Sequence, residues 1–391
     1  MRMPWIQSRF GLTALRLLVL TLPVSVLAYG DAPPEKFLLY VGTYKDHGGK
    51  GIYAYRFDAV AGQLAPIGLA AESAEPSFLA VAESGKFLYA VNEIVNYHGQ
   101  PAGAVSAFAI QRESGKLSLL NQVSSQAEGP AHITLDRSGS YALVSNYERG
   151  SVAVFPVSPD GRLGESSAFV RHKGSSVNPE RQSGPHAHAI AVSPDNRFVV
   201  VADLGLDQLL VYRFDAVHGS LGSEPRIVKT APGAGPRHLV FDANGRFLYL
   251  VTEMASTVVT YSYDAPTGQL HELQTVSLLP KGYSGRTEAA ELEIHPSGKF
   301  LFSSNRGPDS ITVFAIDPKQ GTLTRVETVS TRGRSPRHFT LDPTGSWLLA
   351  ANQDSDEIVV FHVNPDTGHL APTGQVLEVP SPACIKFVLV P

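Results

Sequence analysis

A single cysteine, Cys384, is present among the 391 residues, which excludes an internal disulfide and any disulfide-stapled framework. It lies in the apolar stretch ACIKFVLV and reads as a small buried hydrophobe, with no local neighbour to activate it as a nucleophile. Charge is also sparse, with Asp, Glu, Lys and Arg making up only 17% of the chain. Long helical patterns rich in Ala, Glu, Lys and Leu are missing, whereas 35 glycines and 28 prolines supply abundant turns. That balance predicts an all-β protein. Two catalytic signatures are absent as well. No G-x-S-x-G elbow sits between a strand and a helix, and GAGP opens a β unit without the helix that a phosphate-cradling loop requires.

Hydrophobic runs are short. The longest, LLVLTLPVSVL, holds roughly eleven apolar-dominated residues, against about 20 for a membrane-spanning helix. It follows MRMPWIQSRFGLTALR, which carries three arginines and no acid, and Val26 and Ala28 at its end supply the small residues of a cleavage site. This order predicts a cleaved secretory signal over residues 1–28 and a mature chain of 29–391. No adjacent arginine pair is present, so general export is expected, with the periplasm as destination. Cleavage removes three of the 32 basic residues and none of the 36 acidic ones. The resulting negative surplus excludes a nucleic-acid partner, whose phosphates demand a basic surface, and nothing remains to hold the mature chain to a membrane.

What the chain does have is repetition. One pattern recurs as PSFLAVAESGKFLYAVNE from Pro76, PAHITLDRSGSYALVSNYE from Pro130 and PHAHAIAVSPDNRFVVVADL from Pro185. It returns as PRHLVFDANGRFLYLVTE from Pro236, AAELEIHPSGKFLFSSNR from Ala289 and PRHFTLDPTGSWLLAANQ from Pro336. A seventh opening, PACIKFVLVP, starts at Pro382, and its missing remainder is supplied by KFLLYVGTY near the other end. Alternating apolar residues and Gly-containing turns give four strands per unit, at roughly 46 to 55 residues per repeat, the period of a β-propeller blade. The expectation is one seven-bladed propeller over 29–391. Its last blade joins the C-terminal strand of residues 383–390 to three N-terminal strands, leaving no open edge.

Blade geometry gives the site a direction. With strands A to D running from the axis outward, the short A–B and C–D turns share one face. The long connections 94–103, 172–184 and 280–288 share the other, where sites on rigid scaffolds are usually built. A-strand entrances bring His132, His186, His188, Arg237, His238, Arg337 and His338 to that face. B-strand exits bring Asn146, Asp203, Glu253 and Arg306, among others. Glu253 and Arg306 hold the same repeat position with opposite charge, which argues against a shared structural duty. Polar groups converging on one mouth of the channel form the default binding site.

The units GPRHLVF, PHAHAIAVSPDNRF and SPRHFTLD, with YVGTY at the start, resemble the seven-bladed propeller lactonases. That family includes bacterial 6-phosphogluconolactonases and fungal 3-carboxymuconate-lactonizing enzymes. The resemblance implies hydrolysis of a lactone by a histidine (His186 or His188), two arginines (Arg237 and Arg306) and Glu253. His132, Asn146, Asp203, His238, Arg337 and His338 are then expected to bind substrate. Glu253 acts as general base if partial burial raises its pKa towards neutrality, and the arginines stabilise the oxyanion. No cofactor is implied. The pair His186 and His188, two residues apart on one side of a strand, leaves a divalent ion open without assigning one. An exported member would meet plain sugar lactones, gluconolactone foremost. A muconate-type cycloisomerase and a non-enzymatic interaction platform stand as alternatives, and the oligomeric state is not legible.

Overall fold

The computed structural model describes residues 1–5 and 36–390, and residues 36–390 belong to one compact unit. The cleavage site and apolar core of the expected signal segment lie outside the described residues. Seven sheets surround an axis, and six are contiguous in sequence, spanning 79–124, 130–171, 187–229, 236–277, 288–330 and 336–378. These are numbered blades 1 to 6. Blade 4 shows the plan, with antiparallel strands Pro236–Phe241, Phe247–Thr252, Thr257–Asp264 and Gln269–Ser277. Blade 7 closes the ring. Pro382–Leu389 is its innermost strand and pairs with Lys36–Thr43, which is followed by Gly51–Asp58 and Gln63–Glu72. Among the described residues, the helical pieces are two short 3₁₀ turns, Asp46–Gly48 and Gln353–Ser355.

One blade departs from the four-strand plan. The outer strand of blade 3 is broken into Ser220–Leu221 and Arg226–Lys229, both paired with Gln208–Asp215. The interruption is the stretch GSEP, whose proline has no amide hydrogen to give to a ladder.

Burial follows radius, which explains the sequence pattern. The B strand FVVVAD of blade 3 is buried throughout, because neighbouring blades cover both of its faces. The outermost strand of blade 4, QLHELQTVS, is mostly exposed, with only Leu270 buried. The core therefore lies between blades, for example where Leu143, Val152 and Val154 of blade 2 meet Ile190, Val201 and Tyr212 of blade 3. A repeated clasp adds to it. The C–D turn glycine of one blade sits on the aromatic ring that opens the B strand of the preceding blade. A Cβ at Gly321 would lie 2.5 Å from Phe247, and one at Gly268 would lie 2.6 Å from Phe198. Both turns also have positive φ, 71° in each case, so a side chain there is excluded by conformation and by contact.

Candidate active site

The feature that builds the site is a bulge near the start of five A strands. In blade 4, Pro236 faces Thr252 and His238 faces Val251, so Arg237 is an extra residue. The same irregularity makes Arg337 extra in blade 6, His188 in blade 3 and Ala131 in blade 2. In blade 5 it spans Ala290 and Glu291. A bulge inserts one residue and re-aims the side chains on either side of it. Here it separates two layers. His188, Arg337 and Ala131 line a pocket on the face of the long connections. His132, Glu291 and His338 line the channel below.

The upper pocket has a volume of about 270 Å³, and its other walls are Glu93, Tyr147, Arg181, Glu253, Glu288 and Arg306. Glu253 is its hub, only 4% exposed. Its Oε2 accepts from Arg237 Nε at 3.0 Å and from Arg306 Nη2 at 2.9 Å, and its Oε1 accepts from Arg181 Nη2 at 2.5 Å. Burial alone would push this carboxyl up. Arg306, Arg237 and Arg181 outweigh it and hold the group down at about 2. The expected upward shift is therefore corrected: three guanidinium groups keep Glu253 ionised, with hydrogen bonds to both of its oxygens.

Arg237 departs from expectation in a second way. It is 2% exposed, lies behind the pocket wall, and gives its Nη1 to the Ala290 carbonyl at 2.5 Å. Burial and Arg306 bring its pKa down to about 10, so it is a cation at pH 7 that supports Glu253 from beneath. Arg306 does line the pocket, with Nε on the Glu288 carbonyl at 3.1 Å and Nη1 3.6 Å from the Glu288 carboxylate. Arg337 differs from these three. Its guanidinium lies over the Tyr44 ring, 5.1 Å from the centroid, and no carboxylate among the described residues lies within 4.0 Å of it. The Tyr44 hydroxyl is directed to Glu93, donating to Oε2 at 2.6 Å.

The two histidines of HAH are separated by the fold. The strand begins at Ala187 and bulges at His188, so the alternation that would pair their imidazoles does not hold. His186 stacks on Tyr147 with centroids 4.6 Å apart and bonds its Nδ1 to the Tyr147 carbonyl at 2.9 Å. His188 lines the pocket, and its buried Nδ1 has no hydrogen-bond partner. Burial, then Arg237, His238, Arg337 and Arg306, drive its pKa well below 6.5. It is a neutral imidazole.

Several expected substrate contacts are directed elsewhere. Asn146 is fully buried and donates to the Ser125 carbonyl and Ser151 Oγ, both at 3.1 Å, tying strand ends together. Asp203 accepts from the His186 amide at 2.8 Å and lies 2.6 Å from His172 Nδ1, fixing the loop 172–184. His132, His238 and His338 are below the pocket. His238 Nδ1 is 3.0 Å from both oxygens of Glu291, and His338 Nε2 is 3.3 Å from one of them. Burial pushes all three imidazoles down. Cys384 lies beside them, its thiol pushed up to about 12 by burial, as befits a core residue.

Sequence reasoning did not single out Arg181 or Glu288. Arg181 sits inside a long connection with no repeat to align it, and Glu288 precedes the repeated opening Ala289. The charge pattern RTE at 286–288, ending a long loop, was the available signal.

Residues 38–387 match the family model described as lactonase, 7-bladed beta-propeller. The chain is 35% identical over 354 residues to the 6-phosphogluconolactonase of Bacillus subtilis, covering 90% of this chain and 99% of that one. Among solved structures it is similar to the periplasmic gluconolactonase of Pseudomonas aeruginosa, with 38% identity, a TM-score of 0.85 and coverage of 91% and 100%. A putative 6-phosphogluconolactonase from Bacteroides fragilis gives 35% identity and a TM-score of 0.82, with 90% and 98% covered. The chain belongs to the seven-bladed β-propeller lactonase family.

Proposed function

We propose that the upper pocket hydrolyses an unphosphorylated sugar lactone, with D-glucono-1,5-lactone as the test substrate, and that His188 moves the protons. The relatives named 6-phosphogluconolactonase and gluconolactonase support lactone opening as the reaction. The observation that carries the site assignment is that His188 and Arg337 line the pocket with no carboxylate bound to them, while Arg181, Arg237 and Arg306 are bound to Glu253. A neutral imidazole can take a proton from water at Nε2, the ring nitrogen that is not buried, as the oxygen attacks the carbonyl carbon. Arg337 receives the negative charge that develops on the carbonyl oxygen, with Arg306 beside it. The C–O bond of the ring then breaks, and the imidazolium returns its proton to the departing ring oxygen. Because His188 is such a weak base in this setting, its protonated form is a strong acid, suited to that second transfer. Glu253 touches none of these steps; it fixes Arg181 and Arg306 at the pocket wall and is itself held from beneath by Arg237.

Charge supports a plain sugar over a phosphorylated one. Three carboxylates and three guanidiniums line the pocket. With Arg181 and Arg306 paired to Glu253 and Glu288, one guanidinium without a carboxylate partner remains, enough for an oxyanion but not for a phosphate dianion as well. Residues 1–28 are read as an export signal that delivers the mature chain to the periplasm, the compartment named for the Pseudomonas aeruginosa neighbour. Two measurements test the whole. Purified protein must accelerate acid release from D-glucono-1,5-lactone above the spontaneous rate in a pH-indicator assay, with a lower kcat/KM for the 6-phosphorylated lactone. N-terminal sequencing of the secreted product must begin near residue 29. A phosphorylated substrate turned over faster overturns the substrate assignment.

A further inference from the structure

The axial channel is interrupted halfway by a cluster of rings from four blades. Phe78 lies 4.2 Å from His132, 5.5 Å from His238 and 5.7 Å from His338, centroid to centroid, and His238 lies 5.1 Å from His188 above. Beneath the cluster, towards the face of the short turns, is a second cavity of about 430 Å³ that shares no lining residue with the upper pocket. Its walls include Phe78, Thr134, Glu291, Glu293 and Lys386.

The charges on these walls are unevenly satisfied. Glu291 is held by His238 and His338. Glu293 accepts from the Leu341 amide at 2.7 Å and from Thr340 Oγ1 at 3.2 Å. Lys386 stands over the Phe78 ring with its ammonium 5.1 Å from the centroid, and no hydrogen-bond acceptor or carboxylate among the described residues is within ion-pairing range. Lys386 is partly buried, and a charge partly withdrawn from water is normally paired or hydrogen-bonded. Here the cation faces a cavity whose carboxylates already have donors.

We propose that this lower cavity is a second ligand site, taking a small hydroxycarboxylate whose carboxylate pairs with Lys386, whose hydroxyls reach Glu293, and whose carbon chain packs on Phe78. Burial raises Glu293 to about 7, so near neutrality it can serve its ligand both as acceptor and as donor. The volume suits such a molecule, since it exceeds by more than tenfold the roughly 30 Å³ occupied by one water. Identifying the ligand with an aldonate, the product of lactone opening, rests on the function proposed above; the anion site itself does not.

Equilibrium dialysis of the purified chain with labelled D-gluconate tests it. The wild type should bind at two sites, and Lys386→Met should keep lactone turnover while losing one of them. Lys386→Arg, which retains the charge, should keep both, and a matching melting temperature for the two variants shows that the fold is intact. Arg337→Met should lose the other site. One site in the wild type, or two in Lys386→Met, overturns the proposal. Acetate displacing gluconate from the Lys386 site at equal concentration overturns the role given to the hydroxyls. A chain that binds gluconate through Lys386 but opens no lactone leaves this site standing and removes the proposed function.

Discussion

Arg181 and Glu253 are 72 residues apart in sequence, yet Nη2 of the first lies 2.5 Å from Oε1 of the second. The contact brings the loop 172–184 over blade 4 and completes a cage of three guanidiniums around one carboxylate. Removing that carboxylate's charge tests the cage. Glu253→Gln strands three cations in a poorly solvated site, and breaking a buried pair of this kind costs about 3 kcal/mol. The expected result is a lower melting temperature at pH 7 together with loss of activity.

The same residue sets an acid limit on stability. Its folded pKa, about 2, lies below the ordinary 4.5. The contribution is therefore fully present above pH 4.5 and is lost as pH falls from there towards 2. Melting temperatures measured between pH 7 and 3 should fall more steeply in the wild type than in Glu253→Gln. Parallel curves contradict the assignment.

The two histidines of HAH should separate cleanly in kinetics. His188→Gln should lower kcat by about 10²–10⁴-fold, the usual range for a lost acid–base group, with KM little changed. His186→Gln removes a stack on Tyr147 and a bond to its carbonyl, so it should alter KM modestly and leave kcat within a few fold. Equal losses in both variants would refute the distinction.

The pH profile carries an independent check. Because burial and the surrounding arginines drive His188 well below 6.5, it remains an active base through pH 6. The enzyme-catalysed kcat/KM, corrected for spontaneous hydrolysis, should show no inflection near 6.5 on its acid side. A limb centred between pH 6 and 7 would require a different base.

Arg337 and Arg237 should fail in different ways. Arg337→Met removes the pocket cation that has no carboxylate partner and should lower kcat/KM by about 10²-fold, the loss typical of one oxyanion donor, with the melting temperature nearly unchanged. Arg237→Met leaves Glu253 short of a buried partner and should lower stability as well as rate. Thermal melts alongside steady-state kinetics distinguish them.

The sequence alone determined the propeller, its seven blades, the composite closure and the meeting of Arg237, Glu253 and Arg306 at one end of the channel. These features rest on local signals, namely period-two alternation, glycine turns and a repeat whose register could be counted from each turn residue. Only the tertiary structure decided which side chains enter the pocket. A bulge at His188, Arg237 and Arg337 shifts the alternation by one residue, and nothing in the repeated PRH announces that shift. Arg181 arrives from a loop outside the repeat. The ionisation of Glu253 is a sum of burial and of guanidiniums held by blades 4 and 5 and by the 172–184 loop, and such a sum exists only once the chain has closed into a ring.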